Sequence, residues 1–243
     1  DRYRCIVPDH IGCGLSEKPG DDRYDYTLAR RVDDLERLLD HLGIGTEVTL
    51  VLHDWGGMIG MAYAARHRSR IKRLVILNTA AFHLPKEKRF PLALRLCRDT
   101  GLGALLVRGM NAFSLAASCV GCRANPMPKD IRRAYRLPYD SWQNRIATLR
   151  FVQDIPLLPG DRCYDLVSAV DAGLAAFSDL PTAIFWGERD FVFDSTFLAE
   201  WVRRFPRAEV HRYPEAGHYI LEDMKEDVIP LIADFLARTD GRE

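Results

Sequence analysis

The sequence carries no excess charge of either sign, because its 34 Lys and Arg residues are matched by 34 Asp and Glu residues. This balance removes any general argument for binding nucleic acid or an anionic surface. We also expect neither a signal peptide nor a transmembrane segment, since no apolar run of the required length is found. The composition favours a small neutral molecule as the ligand, with no nucleic acid partner and no membrane indicated.

A disulfide framework is absent as well. The six cysteines are Cys5, Cys13, Cys97, Cys119, Cys122 and Cys163. They follow no framework spacing, and a chain of this length does not depend on disulfides. Cys119 and Cys122 form a C-x-x-C pair, but a zinc site needs a second pair of ligands. We therefore predict reduced thiols, a cytoplasmic location, and no metal or cofactor.

The third absence concerns serine. No serine is flanked by glycines at the G-x-S-x-G spacing of a nucleophile elbow, the sharp strand-to-helix turn that presents the nucleophile of many hydrolases. The chain instead has an apolar run, Val48–Leu52, that ends in His53-Asp54-Trp55-Gly56-Gly57. The run predicts a buried parallel strand, and Met58–His67 predicts the following helix. Asp54 then takes the position of the serine, and a carboxylate needs no base to make it nucleophilic.

An aspartate before a helix can also be an N-cap, and for Asp54 alone the two interpretations are equally open. Two later segments favour catalysis. Phe185–Asp190 ends a second β-rich run with an acid, and Glu215–His218 follows a third, Ala208–Tyr213. Nucleophile, acid and base then occur in the chain order of an α/β-hydrolase triad. The predicted catalytic residues are Asp54, Asp190 and His218, with His53 as a supporting hydrogen-bond donor.

Strand-like and helical segments alternate along most of the chain. Thr27–Leu42 has the spacing of an amphipathic helix that stops at Gly43, and Ile71–Asn78 is a further buried strand. This alternation predicts an α/β fold with a mostly parallel sheet. From residue 80 to 179 the pattern is helical and broken by prolines. We therefore expect a core at 1–79 and 180–243, with a helical cap at 80–179 over the carboxyl ends of the strands.

Three further elements are predicted near the two ends of the sequence. Ser195–Phe205 and Tyr219–Arg238 are expected as the last two helices. Tyr3–Val7 is expected as a buried strand that leads into a glycine turn, although nothing ahead of it could pair with it.

Four motifs carry a family resemblance when they are taken together. They are Pro8-Asp9 with Gly12-x-Gly14-x-Ser16, His53-Asp54-Trp55-Gly56-Gly57, Gly187-x-x-Asp190 and Gly217-His218. This set resembles the α/β-hydrolases of the haloalkane dehalogenase and epoxide hydrolase group, and an acid after the Thr182 strand resembles the dehalogenase subgroup with an Asp-His-Asp triad. The segment Pro138–Ala147, continued by Gln153–Pro156, is similar to the β-lactone decarboxylases of bacterial long-chain olefin biosynthesis.

One motif of that group is not found, a His-Gly-x-Pro loop that donates a backbone amide to the leaving anion. From this departure we expect that about a quarter of a complete domain is missing ahead of the printed sequence. The α/β-hydrolase fold would then lack its first strands, and the elbow strand would have an unpaired edge. The activity is accordingly expected of the longer parent chain.

The resemblance implies a role for each member of the site. Asp54 would attack carbon to give an alkyl ester, a water deprotonated by His218 would cleave that ester, and Asp190 would orient the imidazole. Trp55 would stabilise the departing anion through its indole or backbone N–H, with core packing as the alternative. The residues expected to line the substrate site are Tyr135, Tyr139 and Trp142 in the cap, and the apolar Phe113, Leu115, Phe151, Phe177 and Phe191.

Three functions remain open at this point. The resemblance favours decarboxylation of a long-chain dialkyl β-lactone, a small apolar substrate, to an alkene without a cofactor. It also implies partner enzymes of olefin biosynthesis, namely a thiolase-like condensing enzyme, a β-lactone synthetase and a reductase. A haloalkane dehalogenase or an epoxide hydrolase would use the same elbow. A non-catalytic, hydrolase-like binding module is the alternative from another class, and it predicts a broken triad.

Overall fold

The sheet is parallel throughout and its strands pair in chain order. The computed structural model describes residues 2–241, so the outermost ends of the two predicted core segments, residues 1, 242 and 243, lie outside the described residues. The strands are β1 (Val48–Asp54), β2 (Ile71–Thr79), β3 (Thr182–Gly187) and β4 (Glu209–Tyr213). Each strand coincides with a predicted apolar or β-rich run, so the predicted parallel α/β architecture is confirmed.

Helices connect the strands and flank the sheet. In chain order they are α1 (Leu28–His41), α2 (Trp55–Arg66), α3 (Leu92–Asp99), α4 (Gly101–Met110), α5 (Ala112–Val120), α6 (Lys129–Arg136), α7 (Ile146–Gln153), α8 (Tyr164–Gly173), α9 (Ser195–Arg204), α10 (Ile220–Asp223) and α11 (Lys225–Asp240). Short 3-10 turns lie at Arg68–Arg70, Leu137–Tyr139, Gln143–Arg145 and Leu174–Phe177. Between β2 and β3 the described chain forms helices and loops without a strand.

The predicted helix at Thr27–Leu42 shows why local sequence suffices in some places. The Thr27 hydroxyl accepts a hydrogen bond from the backbone N–H of Arg30, which caps the start of α1. Gly43, at φ +66°, supplies the left-handed conformation after the last turn. Because of the Thr27 cap and the turn at Gly43, α1 begins and ends within one residue of the predicted positions.

The core lies on both faces of the sheet, and β2 contributes to both. Leu74 and Ile76 pack with the side chains of α1, α2, α8 and α9, whereas Val75 and Leu77 pack against α10 and α11. Successive side chains of a strand point to opposite faces, so a strand covered on both sides is apolar throughout. This burial fixes the carboxyl ends of β1, β2 and β3 at one edge of the sheet.

Two predicted elements differ in the structure. Tyr3–Val7 forms no strand, and Val7 is 91% exposed. Among residues 2–241, β1 pairs only with β2, so its other edge is open as expected. A short segment without a neighbouring strand cannot satisfy its backbone hydrogen bonds as a strand, which is why the prediction for Tyr3–Val7 is wrong.

The predicted helix Tyr219–Arg238 is divided into α10 and α11 at Met224. The buried carboxylate of Asp223 accepts hydrogen bonds from the backbone N–H groups of Gly217 (2.7 Å), Arg123 (2.6 Å) and Asn125 (2.5 Å). Asp223 thus ties the turn before His218 to the chain after α5. These long-range contacts hold the end of α10 in place of a continuous helix.

Candidate active site

Asp54 stands at a strained turn between β1 and α2. Its backbone has φ +49° and ψ −124°, a region that non-glycine residues rarely adopt. Its side chain makes no capping hydrogen bond to α2, so the N-cap alternative is wrong. The turn instead presents the carboxylate to a cavity, and 44% of the side chain remains accessible.

The neighbouring strand holds this turn in place. The Thr79 hydroxyl donates a hydrogen bond to the carbonyl of Asp54 and accepts one from the backbone N–H of Gly57 (3.1 Å). A Cβ atom on Gly57 would lie 2.1 Å from the Thr79 Oγ1 atom and 2.5 Å from the carbonyl oxygen of Ala80. Only glycine therefore fits at position 57 of the elbow.

The three predicted triad members meet at the edge formed by the carboxyl ends of the strands. The Nδ1 atom of His218 lies 2.7 Å from the Oδ2 atom of Asp190. Its Nε2 atom lies 3.9 Å from the Oδ1 atom of Asp54. The imidazole is thus hydrogen-bonded to one carboxylate and within a single water of the other.

Asp190 is buried and fully engaged. Its carboxylate accepts hydrogen bonds from His218, from the side-chain amide of Asn78 (3.1 Å) and from the backbone N–H of Val192 (2.8 Å). Burial opposes its ionisation, but the charge and hydrogen bond of His218 outweigh burial and hold the pKa of Asp190 below its usual range. Asp190 is therefore a fixed negative charge behind the imidazole.

The pKa values of the two histidines of the site are shifted in opposite directions. Burial lowers the pKa of His218, yet the carboxylates of Asp190 and Asp54 overcome this effect and raise it to about 9. Burial, followed by the nearby charge of His218, lowers the pKa of His53 to about 4. The Nε2 atom of His53 lies 2.9 Å from the carbonyl oxygen of His218, so the neutral ring must carry its proton there and donate it. His53 is thus a donor that holds the His218 loop, as predicted.

The triad opens into a cavity of about 780 Å³. Trp55, Tyr135 and Tyr139 line it together with Asp54 and His218. The Tyr135 hydroxyl donates to the carboxylate of Glu222 (3.0 Å), and burial raises the pKa of Tyr139. Both hydroxyls therefore stay protonated at neutral pH and are hydrogen-bond donors.

The structure corrects the prediction for Trp142. This side chain is not among the residues that line the cavity; it is 49% exposed and packs against the guanidinium of Arg108 at 4.5 Å. Of the apolar candidates, Phe113, Phe151 and Phe191 line the cavity. Leu115 faces outward and Phe177 is buried in the core, so these two predictions are wrong. Composition could not show whether each of these side chains turns toward the cavity or away from it.

Comparisons with known proteins identify the family. The chain matches the family model of the alpha/beta hydrolase fold over residues 1–96. It is 61% identical over 240 residues to the cis-3-alkyl-4-alkyloxetan-2-one decarboxylase of Shewanella oneidensis, covering 99% of this chain and 76% of that protein. It is 53% identical to the protein of the same name from Xanthomonas campestris pv. campestris, covering 98% and 81%. The chain belongs to the family of these decarboxylases.

The decarboxylase family shares its fold with the haloalkane dehalogenases. The crystal structure of the enzyme from Bradyrhizobium elkani superposes with a TM-score of 0.84 at 28% identity, covering 97% of this chain and 81% of that one. The predicted α/β-hydrolase fold is confirmed, and so is the predicted similarity to the β-lactone decarboxylases and to the haloalkane dehalogenases. The chain is an enzyme of the α/β-hydrolase superfamily.

Two residues of the site in this member of the decarboxylase family were not predicted from the sequence. Asn78 donates to Asp190 and to the carbonyl of Gly187 (2.9 Å), and its own carbonyl accepts from the N–H of Gly187 (2.8 Å). Tyr219 lines the cavity beside His218, and burial together with the charge of Asp54 raises its pKa. The signal for Asn78 was present, since a polar residue ends the apolar β2 run at the edge where Asp54 lies.

Proposed function

We propose that this protein decarboxylates a β-lactone that carries an alkyl group on C3 and another on C4, giving an alkene and carbon dioxide. The observation that carries the proposal is the 61% identity, over 99% of the chain, to a protein named cis-3-alkyl-4-alkyloxetan-2-one decarboxylase. The geometry supports it, because a carboxylate and an imidazole face a cavity with a largely apolar lining. A cavity of about 780 Å³ has the size of a typical small-molecule site.

In this proposal Asp54 is the nucleophile. Attack on C4 breaks the ring C4–O bond and gives an alkyl ester of Asp54 and a carboxylate on C3. The bond from C3 to that carboxylate then breaks as carbon dioxide leaves, its electrons form the C3–C4 double bond, and Asp54 departs from C4 as a carboxylate. The atoms balance without water and without a net proton transfer.

The electrostatics of the site fit both steps. His218, with a pKa of about 9, is an imidazolium at neutral pH, and its N–H can stabilise the carboxylate released by ring opening. The backbone N–H of Trp55, at the first position of α2, has no partner within the helix and is a second candidate donor. Asp190 keeps the imidazolium charged and oriented.

Dehalogenation through the same ester is a second candidate. The fold similarity to haloalkane dehalogenases and the 3.9 Å gap between Asp54 and His218 favour it. The two activities differ in the fate of the ester, because dehalogenation requires water and a neutral His218. Alkylation of Asp54 removes one of the negative charges that raise the pKa of His218, so the imidazole would become a better base after the first step.

The test gives the purified protein three substrates separately: a cis-dialkyl β-lactone, a 1-bromoalkane of similar length and an epoxide. We expect alkene from the lactone, with little halide or diol from the others. Asp54→Asn should lower lactone turnover about a thousandfold or more while the far-ultraviolet circular dichroism stays unchanged. Alkene formation that survives in Asp54→Asn, or halide release faster than alkene release, would overturn the proposal.

Trapping the ester tests the nucleophile directly. His218→Ala cannot activate water, so long incubation with excess 1-bromoalkane should add the mass of one alkyl group to the peptide that contains Asp54. This single reaction per protein molecule is compatible with little halide release. The same incubation with Asp54→Asn should leave that peptide unchanged. Alkylation at another residue would remove Asp54 from this role.

Location and partners belong to the proposal as well. All six cysteines are unpaired in the described structure, which supports a reducing compartment such as the cytoplasm. Enzymes that make the lactone or use the alkene remain predicted partners, inferred from the resemblance alone.

A further inference from the structure

The exposed positions of α4 and α5 carry no charged side chain, and Arg108, the one charged residue of the two helices, is half-buried. On α4 the exposed positions include Leu102, Leu105 and Met110, which are 58%, 54% and 66% exposed. On α5 they are Leu115, Ala116 and Cys119. The exposed face of a helix in a globular protein is normally polar. We name this surface the α4–α5 face.

Trp142 extends this face, and two arginines contact its border, Arg108 at Trp142 and Arg132 at Cys119. A Cβ atom built on Gly109 would lie 3.2 Å from Leu105 and 3.8 Å from Trp142, so the half-exposed indole adjoins α4. The run Gly101–Cys122 contains a single charged residue, Arg108, whose guanidinium lies over the Trp142 ring. Leu105, Gly109 and Trp142 are thus neighbours on this surface, with an aromatic ring at its border.

The geometry of the two helices excludes a simple membrane span. No single helix of residues 2–241 is long and apolar enough to cross a bilayer, whereas α4 and α5 taken together satisfy the requirement of length and composition. They are bent by 73° at Asn111, and each alone is 10 residues or shorter. A helix of about 10 residues is about 15 Å long, half the thickness of the hydrocarbon core. The face is suited to shallow insertion at the interface.

The charge around the face is positive, although the whole chain is neutral. Residues 86–145 contain twelve Lys and Arg but only four Asp and Glu. Arg95, Lys129 and Arg133 are exposed and form no ion pair with another described residue. The net charge of residues 86–145 is therefore positive, although that of the whole chain is zero. Basic residues beside an apolar patch favour binding to an anionic lipid surface over a neutral one.

Helix α5 separates this face from the active-site cavity. Phe113, Ser114, Ala117 and Ser118 line the cavity, while Leu115, Ala116 and Cys119 on the other side face outward. One helix diameter, about 10 Å, thus lies between the surface and the site. The face therefore lies next to the active-site cavity.

We propose that the α4–α5 face binds the surface of membranes that contain anionic phospholipid. The inserted groups are the apolar side chains of α4 and α5 together with Trp142, and the basic residues of the cap contact the lipid headgroups. The benefit to catalysis rests on the proposed function, because a lactone with two long alkyl chains partitions into lipid. Binding itself is measured without substrate, so its failure and the failure of the proposed function are separate results.

The experiment is flotation of the purified protein with vesicles of phosphatidylcholine alone or with one quarter phosphatidylglycerol. We expect binding to the anionic vesicles that weakens as sodium chloride is raised from 50 to 500 mM. Leu102→Glu/Leu105→Glu should lower the partition coefficient about tenfold or more. Ile229→Glu, an equally exposed apolar position on α11, is the matched control and should bind as the wild type does.

Three results would overturn the proposal. The first is the absence of binding to anionic vesicles. The second is binding that the double variant Leu102→Glu/Leu105→Glu leaves unchanged, although circular dichroism shows that this variant is folded. The third is a dimer or larger assembly that light scattering detects for the wild type but not for the double variant, together with no binding of the wild type to vesicles. A second copy of the protein would then cover the face.

Arg133→Glu is a second variant that leaves the apolar face intact and should also weaken binding to anionic vesicles.

Discussion

His218 lies between two carboxylates that act on it at different distances. Asp190 contacts the ring at 2.7 Å, and Asp54 lies at 3.9 Å across the space where a substrate would bind. The side chain of His218 is 13% exposed, and these neighbouring carboxylates outweigh its burial and keep its pKa at about 9. A single ring therefore links the charge of the nucleophile to that of the buried acid.

This arrangement predicts a pH-dependent contribution to stability. The pKa of His218 is about 9 in the folded protein, against about 6.5 for an unperturbed histidine. The protonated ring then stabilises the folded state fully below pH 6.5, and the contribution is lost as the pH rises to about 9. The stability advantage of wild type over His218→Gln should shrink by about 3 kcal/mol between pH 6 and pH 10.

Urea unfolding at several pH values measures this difference. Asp190→Asn should remove most of the pH dependence, because Asp190 is the larger source of the raised pKa. A constant difference between wild type and His218→Gln would contradict the assignment of charge.

At the scale of elements, the elbow depends on the contact between the ends of β1 and β2. Asp54 pairs with Thr79 after an irregularity in the register, and the Thr79 hydroxyl serves both Asp54 and Gly57. Thr79→Val keeps the shape but removes both hydrogen bonds and leaves a buried N–H unpaired. We expect a loss of about 1–3 kcal/mol in the free energy of unfolding and about a tenfold loss in kcat/KM.

A matched variant separates these two effects. Thr239, in α11 and away from the elbow, is also buried, and its hydroxyl accepts a hydrogen bond from Arg73 of β2 (2.8 Å). Thr239→Val should lower stability to a similar degree without lowering kcat/KM, and Thr79→Ser should restore both properties. If Thr79→Val loses only stability, the elbow does not need this hydroxyl.

The elements also show which features a single sequence can predict. Apolar runs identified β1, β2 and β3, and the carboxyl ends of β1 and β3 gave Asp54 and Asp190. β2 and β3 are buried on both faces, as such runs predict, whereas Val51 of the edge strand β1 is 51% exposed. The roles of Asn78 and Thr79 depend on which strands are neighbours, which periodicity does not reveal. The outward turn of Trp142 and the missing strand at Tyr3–Val7 likewise depend on what lies across from each segment.

At the scale of the whole molecule, one buried ion pair joins the first helix of the core to the segment between β2 and β3. Arg31 on α1 is 1% exposed, and its Nη1 atom lies 3.0 Å from the Oδ2 atom of Asp154, just after α7. Asp154 also accepts from the N–H of Leu28 (2.7 Å). The guanidinium lies 3.7 Å from the ring centre of Phe151, and its Nε and Nη2 atoms have no hydrogen-bond partner among the described residues.

Replacing only Arg31 should lower the free energy of unfolding more than replacing both members of the pair. Arg31→Met leaves a buried carboxylate without its cation, and we expect a loss of about 3–5 kcal/mol in the free energy of unfolding. Arg31→Met/Asp154→Asn should recover about 1–3 kcal/mol of that loss, because asparagine is neutral and its carbonyl can still accept from Leu28. Burial raises the pKa of Asp154, so the penalty of Arg31→Met should also shrink as the pH falls and this carboxylate is protonated. Urea unfolding of the two single variants and the double variant at pH 5 and pH 8 measures both effects; strict additivity at both pH values would mean that the two charges do not interact across this junction.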